Sequence, residues 1–284
     1  MKWANVIVNG KACAALVEPD TIFPLSDVSV IDVLADLEGA ATRARAAARV
    51  PISEVQFQQP ILKPRKILGI GVNYAAHAKE SVSFLKSTPA SVQKWFNKQA
   101  TAAHGPYDPV DLPIVSEQLD YEAELVVIIG KTGRHVPAAR AMEMVAGFAC
   151  GCDYSVRDWQ RASQTMIMGK GFDTHAPFGP YLVTPDEIED LSAVSVKGFV
   201  NGELRQTGHV RDMVFSIEQQ IAHLTAAFTL EPGDVIFTGT PAGVGAGFEP
   251  PKWLRAGDRV RVEISGIGHI ENQIMAEQNT TVLK

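Results

Sequence analysis

The chain has 284 residues, 46% hydrophobic and 20% charged, the profile of an ordinary soluble globular protein. Its 26 basic and 32 acidic residues give a net charge of -6 with no basic stripe, which argues against nucleic acid or an anionic membrane as a partner. No apolar run approaches membrane-span length, and the short run after Lys2 breaks at Asn9-Gly10-Lys11, unlike a signal peptide.

At the N-terminus Val6-Ile7-Val8 reads as a strand, Asn9-Gly10 as a hairpin turn, and residues 12–17 as the returning strand. Residues 31–50 then read as one helix, ending in an alanine- and arginine-rich run. Pro51, Pro60 and Pro64 punctuate a linker, which divides the chain into a small N-terminal domain, 1–62, and a larger domain, 63–284.

Residues 66–72 read as a strand and 74–83 as a short helix carrying His77 and Glu80 on one face. A carboxylate beside an imidazole raises its basicity and fixes its tautomer, as a general base requires; a solvated surface pair is the bland alternative. Gly69-Ile70-Gly71-Val72-Asn73-Tyr74 fails as a dinucleotide fingerprint, because Tyr74 stands where the third glycine belongs.

The most informative stretch is Asp120-Tyr121-Glu122-Ala123-Glu124, leading into Leu125-Val126-Val127-Ile128-Ile129. The apolar, β-branched run reads as a buried strand, and a strand sends alternate side chains to one face. Asp120, Glu122 and Glu124 would crowd together there, at a cost that a hard divalent cation would offset. The other reading places them on a solvated sheet face.

Cys13, Cys150 and Cys152 are an odd set that reads as reduced thiols in a cytoplasmic setting. No second pair or nearby histidine completes a soft-metal site, so Cys150 and Cys152 read as packing residues. Asp153 lies near a strand end as a further hard-metal ligand or a turn residue, and Ser155 is placed to cap a helix over 155–164. Lys170, between two glycines, has little steric cover and reads either as reaching a carboxylate or, like most lysines in glycine-flanked loops, as simply solvated. Further helices are expected over 137–144 and 216–228, and short strands at 194–200, 234–238 and 259–264. Gly239 to Gly245 lacks the ending of a phosphate loop but, with Thr240 embedded, suits close backbone approach to an oxygen-rich ligand. No internal repeat is present, and the mixture indicates a β-rich α+β fold rather than a β/α barrel.

Several strings, in order from about residue 65 to the end, closely resemble the fumarylacetoacetate hydrolase superfamily. They are Gly-Val-Asn-Tyr-Ala-Ala-His-Ala-Lys-Glu (71–80), Asp-Tyr-Glu-Ala-Glu-Leu (120–125), Arg-Asp-Trp-Gln (157–160), Gly-Lys-Gly-Phe-Asp-Thr (169–174), Gly-Pro-Tyr-Leu-Val-Thr (179–184) and Thr-Gly-Thr-Pro-Ala-Gly-Val-Gly (238–245). Phe96-Asn97-Lys98, Gly105-Pro106-Tyr107-Asp108 and Pro250-Pro251-Lys252-Trp253-Leu254 look similar to the domain-containing protein 2 branch. The resemblance implies a mixed β-sandwich roll, a homodimer, and a Mg²⁺ or Mn²⁺ site with Glu122, Glu124 and Asp153 as ligands. Asp120 then becomes a neighbour of that site. His77, Glu80 and Lys170 fall on catalytic positions, and Tyr74, Lys98, Gln160 and Thr240 on substrate-binding ones. Val72 stands where some members carry arginine, and His209-Val210-Arg211 and His104 also depart from the pattern.

The implied substrate is a small oxo acid. A cation held by three carboxylates can chelate its adjacent oxygens and stabilise its enolate. With His77 activating water and Lys170 assisting the charge, this gives carbon–carbon cleavage of an acylpyruvate-type 2,4-dioxo acid. Without water attack the same site runs oxaloacetate tautomerisation or decarboxylation, and a non-catalytic binding module is the third possibility.

Overall fold

The computed structural model describes residues 1–85, 91–278, 281 and 283. Two sheets dominate it. Strand Ala123–Ile129 is the centre of the larger one, pairing antiparallel with Val145–Cys152 on one side and Val235–Phe237 on the other. Val235–Phe237 in turn pairs parallel with Ile67–Gly71, which makes the sheet mixed. A smaller, five-stranded sheet contains Ser195–Val200, Glu203–His209, Arg259–Ile264, Gly268–Ala276 and Val110–Leu112.

Every residue of Ala123–Ile129 is buried, because both faces of the central strand are covered. Leu125, Val127 and Ile129 join a core shared with Val196, Val262 and Ile270 of the smaller sheet and with Ile221 and Leu224 of helix Ile217–Ala227. Val126 and Ile128 face the opposite core, with Trp3, Leu16, Phe178 and the alanines of helix Leu37–Arg45. Each such aliphatic side chain contributes about 1.5–3 kcal/mol when fully buried. The architecture is the expected mixed β-sandwich, rich in strand and poor in helix.

The N-terminal residues build one edge of the larger sheet. Lys2–Val8 pairs with Lys11–Glu18 through the Asn9-Gly10 turn, where both residues take positive φ, and on its other side with Ala176–Val183. No helix among the described residues is long and apolar enough to cross a membrane.

Local structure departs from the sequence reading at several points. The expected helix over 31–50 is two helices, Val30–Val33 and Leu37–Arg45, because Asp36 turns back to accept the Gly39 amide at 2.9 Å and caps the second. Residues 138–144 form a 3-10 helix. Ser155 does not cap a helix: with Val156 it forms a short strand paired to Leu119–Asp120, and the helix runs only from Arg157 to Ala162. That pairing brings Asp120 and Asp153 to one end of the sandwich. The cysteines are free and buried, consistent with packing.

Candidate active site

Helix Ala75–Leu85 begins just after strand Ile67–Gly71, and between them Val72 holds a φ of 59°, a strained value for a β-branched residue. Asn73 anchors this turn: its Nδ2 donates to the carbonyls of Thr238 at 2.8 Å and Phe215 at 3.1 Å. The helical spacing brings His77 Nδ1 to 2.8 Å from Glu80 Oε2, and Glu80 Oε1 accepts the Gly243 amide at 2.9 Å.

Glu122 and Glu124 enter from the start of the central strand and Asp153 from the end of its neighbour Val145–Cys152. The Asp153 amide donates to the Glu122 carbonyl at 2.9 Å, which ties the two chain segments together. One oxygen from each of these three buried carboxylates lies within 4.8 Å of the others. Three buried cations surround them. Lys170 Nζ donates to Glu122 Oε2 at 2.7 Å and Asp153 Oδ2 at 2.6 Å, and Lys98 Nζ to Asp153 Oδ1 at 2.5 Å. Arg157 spans Asp120 Oδ2 through Nε at 2.8 Å and Glu122 Oε1 through Nη2 at 2.7 Å.

Four carboxylates thus meet three cations in a space almost closed to water, and Glu124 is the one with no ion pair among the described residues. It accepts the amide of Gly239 at 2.7 Å. Gly239 has a φ of 101°, and a Cβ there would fall 2.6 Å from Cβ of Asn73, so this donor position requires glycine. Burial, then the charges of Asp153 and Glu122, push the Glu124 carboxyl well above its ordinary range. Burial acts on Glu122 in the same direction, but the charges of Lys170 and Arg157 outweigh it and hold Glu122 below the usual carboxylate range. Burial also lowers Lys98, whereas Asp153 and Glu122 overcome burial to raise Lys170.

This donor set fits a hard divalent cation. The ligand atoms are all carboxylate oxygens, they converge, and a divalent ion there would compensate the charged form of Glu124 that burial and its neighbours disfavour.

A cavity of about 510 Å³ opens onto the cluster and is lined by His77, Glu122, Arg157, Gln160, Lys170 and Thr240, among others. The structure therefore brings together most of the residues singled out in the sequence. Gln160 holds Arg157 Nη1 through Oε1 at 3.0 Å, and Thr240 Oγ1 donates to the Ala123 carbonyl at 2.9 Å while accepting from Gln206. Lys98 lies behind the cavity wall, on Asp153 and the Tyr154 carbonyl. Tyr74 is also buried outside the lining, and burial raises its phenol, followed by the charges of Glu124 and Asp212. His104 and His209 lie elsewhere, on the Pro109 carbonyl and beside Asp212. The part missing from the sequence reading is the side-chain role of Arg157. The signal was the unneutralised Asp120, whose Oδ2, besides meeting Arg157, accepts the Ala246 amide at 3.0 Å.

Comparison with known proteins identifies the class. The sequence pattern of the Fumarylacetoacetate (FAA) hydrolase C-terminal family matches residues 66–275, and the chain belongs to that family. Among its relatives, oxaloacetate tautomerase FAHD2A, mitochondrial, from Homo sapiens is 42% identical over 247 residues, covering 84% of this chain and 77% of that protein. Fumarylacetoacetate hydrolase from Exiguobacterium antarcticum superposes with a TM-score of 0.84 at 36% identity, over 98% of this chain and 100% of that one. Maleylpyruvate hydrolase from Sphingobium sp. SYK-6, solved with manganese(II) and pyruvate, gives a TM-score of 0.82 at 31% identity and the same coverage.

Proposed function

We propose that this family enzyme interconverts the keto and enol forms of oxaloacetate, with Mg²⁺ or Mn²⁺ at Glu122, Glu124 and Asp153. The observation that carries the reading is one cavity lined by both His77, which Glu80 engages from behind, and Lys170 on the carboxylate cluster. The likeness to oxaloacetate tautomerase FAHD2A supports this reaction among those such a site suits. A divalent ion would supply positive charge to the adjacent oxygens of a 2-oxo acid and so acidify the neighbouring C–H.

The remaining work falls to side chains. Glu80 engages His77 Nδ1, so proton transfer by this ring runs through Nε2. In the keto-to-enol direction the C3 proton passes to that nitrogen and a proton is delivered to the C2 oxygen. No water is consumed and no carbon–carbon bond breaks. The ammonium of Lys170, held by Glu122 and Asp153, offers positive charge where negative charge develops on the substrate oxygens.

Hydrolysis of an acylpyruvate is the second reading. His77 backed by Glu80 also suits deprotonation of water, and the Sphingobium maleylpyruvate hydrolase was solved with pyruvate. Purified protein with Mg²⁺, given oxaloacetate and acetylpyruvate in parallel, separates the two. Accelerated enol decay without pyruvate release supports tautomerisation, and pyruvate plus acetate from acetylpyruvate supports hydrolysis.

A further inference from the structure

Resting on that reading of the site, we infer that Lys94 and Arg161 at the cavity rim bind the distal carboxylate of a dicarboxylic substrate. These residues would set the preference for dicarboxylic over monocarboxylic 2-oxo acids. Both line the cavity. The cations deeper in the site are committed: Arg157 to Asp120 and Glu122, and Lys170 to Glu122 and Asp153. The rim cations are not. Among the described residues the Lys94 ammonium has no hydrogen bond or ion pair, and the Arg161 guanidinium meets only the neutral Gln118 Oε1 at 2.5 Å.

Their positions are fixed by the fold. Lys94 opens strand Lys94–Lys98 and pairs with Gly71, next to the strained Val72 on the cavity wall. Arg161 follows Gln160 on helix Arg157–Ala162, whose first residue is the arginine spanning Asp120 and Glu122. A 2-oxo carboxylate bound at the acidic cluster therefore lies at one end of a cavity whose rim holds uncommitted positive charge. Among the described residues Glu122 is the only acidic side chain lining that cavity, and it is already paired with Lys170 and Arg157. A second carboxylate gains charge-assisted hydrogen bonds at the rim that a methyl group cannot form.

Malate and lactate isolate this effect. They share the 2-hydroxy carboxylate end, and malate alone carries the distal carboxylate. Titrating each into the Mg²⁺-supplied protein by calorimetry should show tighter binding of malate. Lys94→Ala and Arg161→Ala should each weaken malate about threefold, and the double variant about tenfold, as expected for partly exposed charge pairs. Lactate affinity should stay unchanged, and Arg161→Lys should retain most of the malate preference. Equal binding of the two acids by the native protein, survival of the preference in the double variant, or equal weakening of both acids would overturn the inference. If the preference behaves as stated but oxaloacetate enol decay is not accelerated, the subsite stands and the tautomerase reading fails. If enol decay is accelerated but the preference is unaltered, the subsite fails alone.

Discussion

Glu80 joins His77 to the loop that follows the Thr238–Gly239–Thr240 turn: one carboxylate oxygen lies 2.8 Å from the imidazole Nδ1 and the other accepts the Gly243 amide at 2.9 Å. The imidazole is therefore oriented by a group that is itself fixed to the segment whose Gly239 amide holds Glu124. The proposed acid–base pair and the proposed ion ligands share one scaffold without sharing a residue.

That separation makes the two functions divisible by mutation. His77→Ala should lower turnover by about 10²–10⁴-fold, the usual contribution of a positioned general base. Mn²⁺ affinity measured by calorimetry should change little. Near-normal turnover in this variant would assign the proton transfer to another group.

Glu124 is the cluster carboxyl with no cationic partner among the described residues, so replacing it should act in opposite directions with and without the ion. In ion-free protein Glu124→Gln should leave the melting temperature unchanged or raise it, because burial and its like-charged neighbours already disfavour the ionised carboxyl. In native protein, stripping the ion with EDTA should abolish activity. Restoring Mg²⁺ or Mn²⁺ at about one hundred times its dissociation constant should add about 2.7 kcal/mol of stability. Glu124→Gln should lose most of that gain. Full activity in native protein verified to be metal-free would remove the ion from the account.

Much of this arrangement was legible in the sequence because its signals are local. The carboxylates at alternate positions before an apolar β-branched run, the i,i+3 spacing of His77 and Glu80, and the glycines around Lys170 each carry their meaning within a few residues. What escaped was non-local. Nothing near Arg157 indicates that it spans Asp120 and Glu122, since that contact exists only once the short strand Ser155–Val156 has paired with Leu119–Asp120. The joining of the N-terminal strand to Ala176–Val183 pairs Lys2 with Val183 and Trp3 with Leu182, residues about 180 positions apart. The break between Val33 and Leu37 escaped for a different reason: the alanine-rich composition masked a local cap at Asp36.

His175 gives a pH signature independent of catalysis. Its ring is buried, stacked on Phe172 at 5.4 Å, and its Nε2 lies 2.8 Å from the Asp111 carbonyl, so that nitrogen carries the proton of a neutral imidazole. Burial lowers its pKa to about 3. Between about 6.5 and 3 the unfolded chain binds a proton that the folded one excludes, so this residue's contribution is present above about pH 6.5 and lost as pH falls through that window. Unfolding free energy from urea titrations should fall more steeply between pH 7 and about 4 for the native protein than for His175→Gln. Parallel pH profiles would show that His175 charges in the folded state.

The central claim is catalysis of oxaloacetate keto–enol exchange, and the decay of enol absorbance after dissolving enol-form oxaloacetate tests it most directly. With Mg²⁺ present, native protein should accelerate that decay in proportion to its concentration, without releasing pyruvate or CO₂, and His77→Ala should return the rate close to the uncatalysed one. Decay at the uncatalysed rate with native, Mg²⁺-supplied protein would contradict the account.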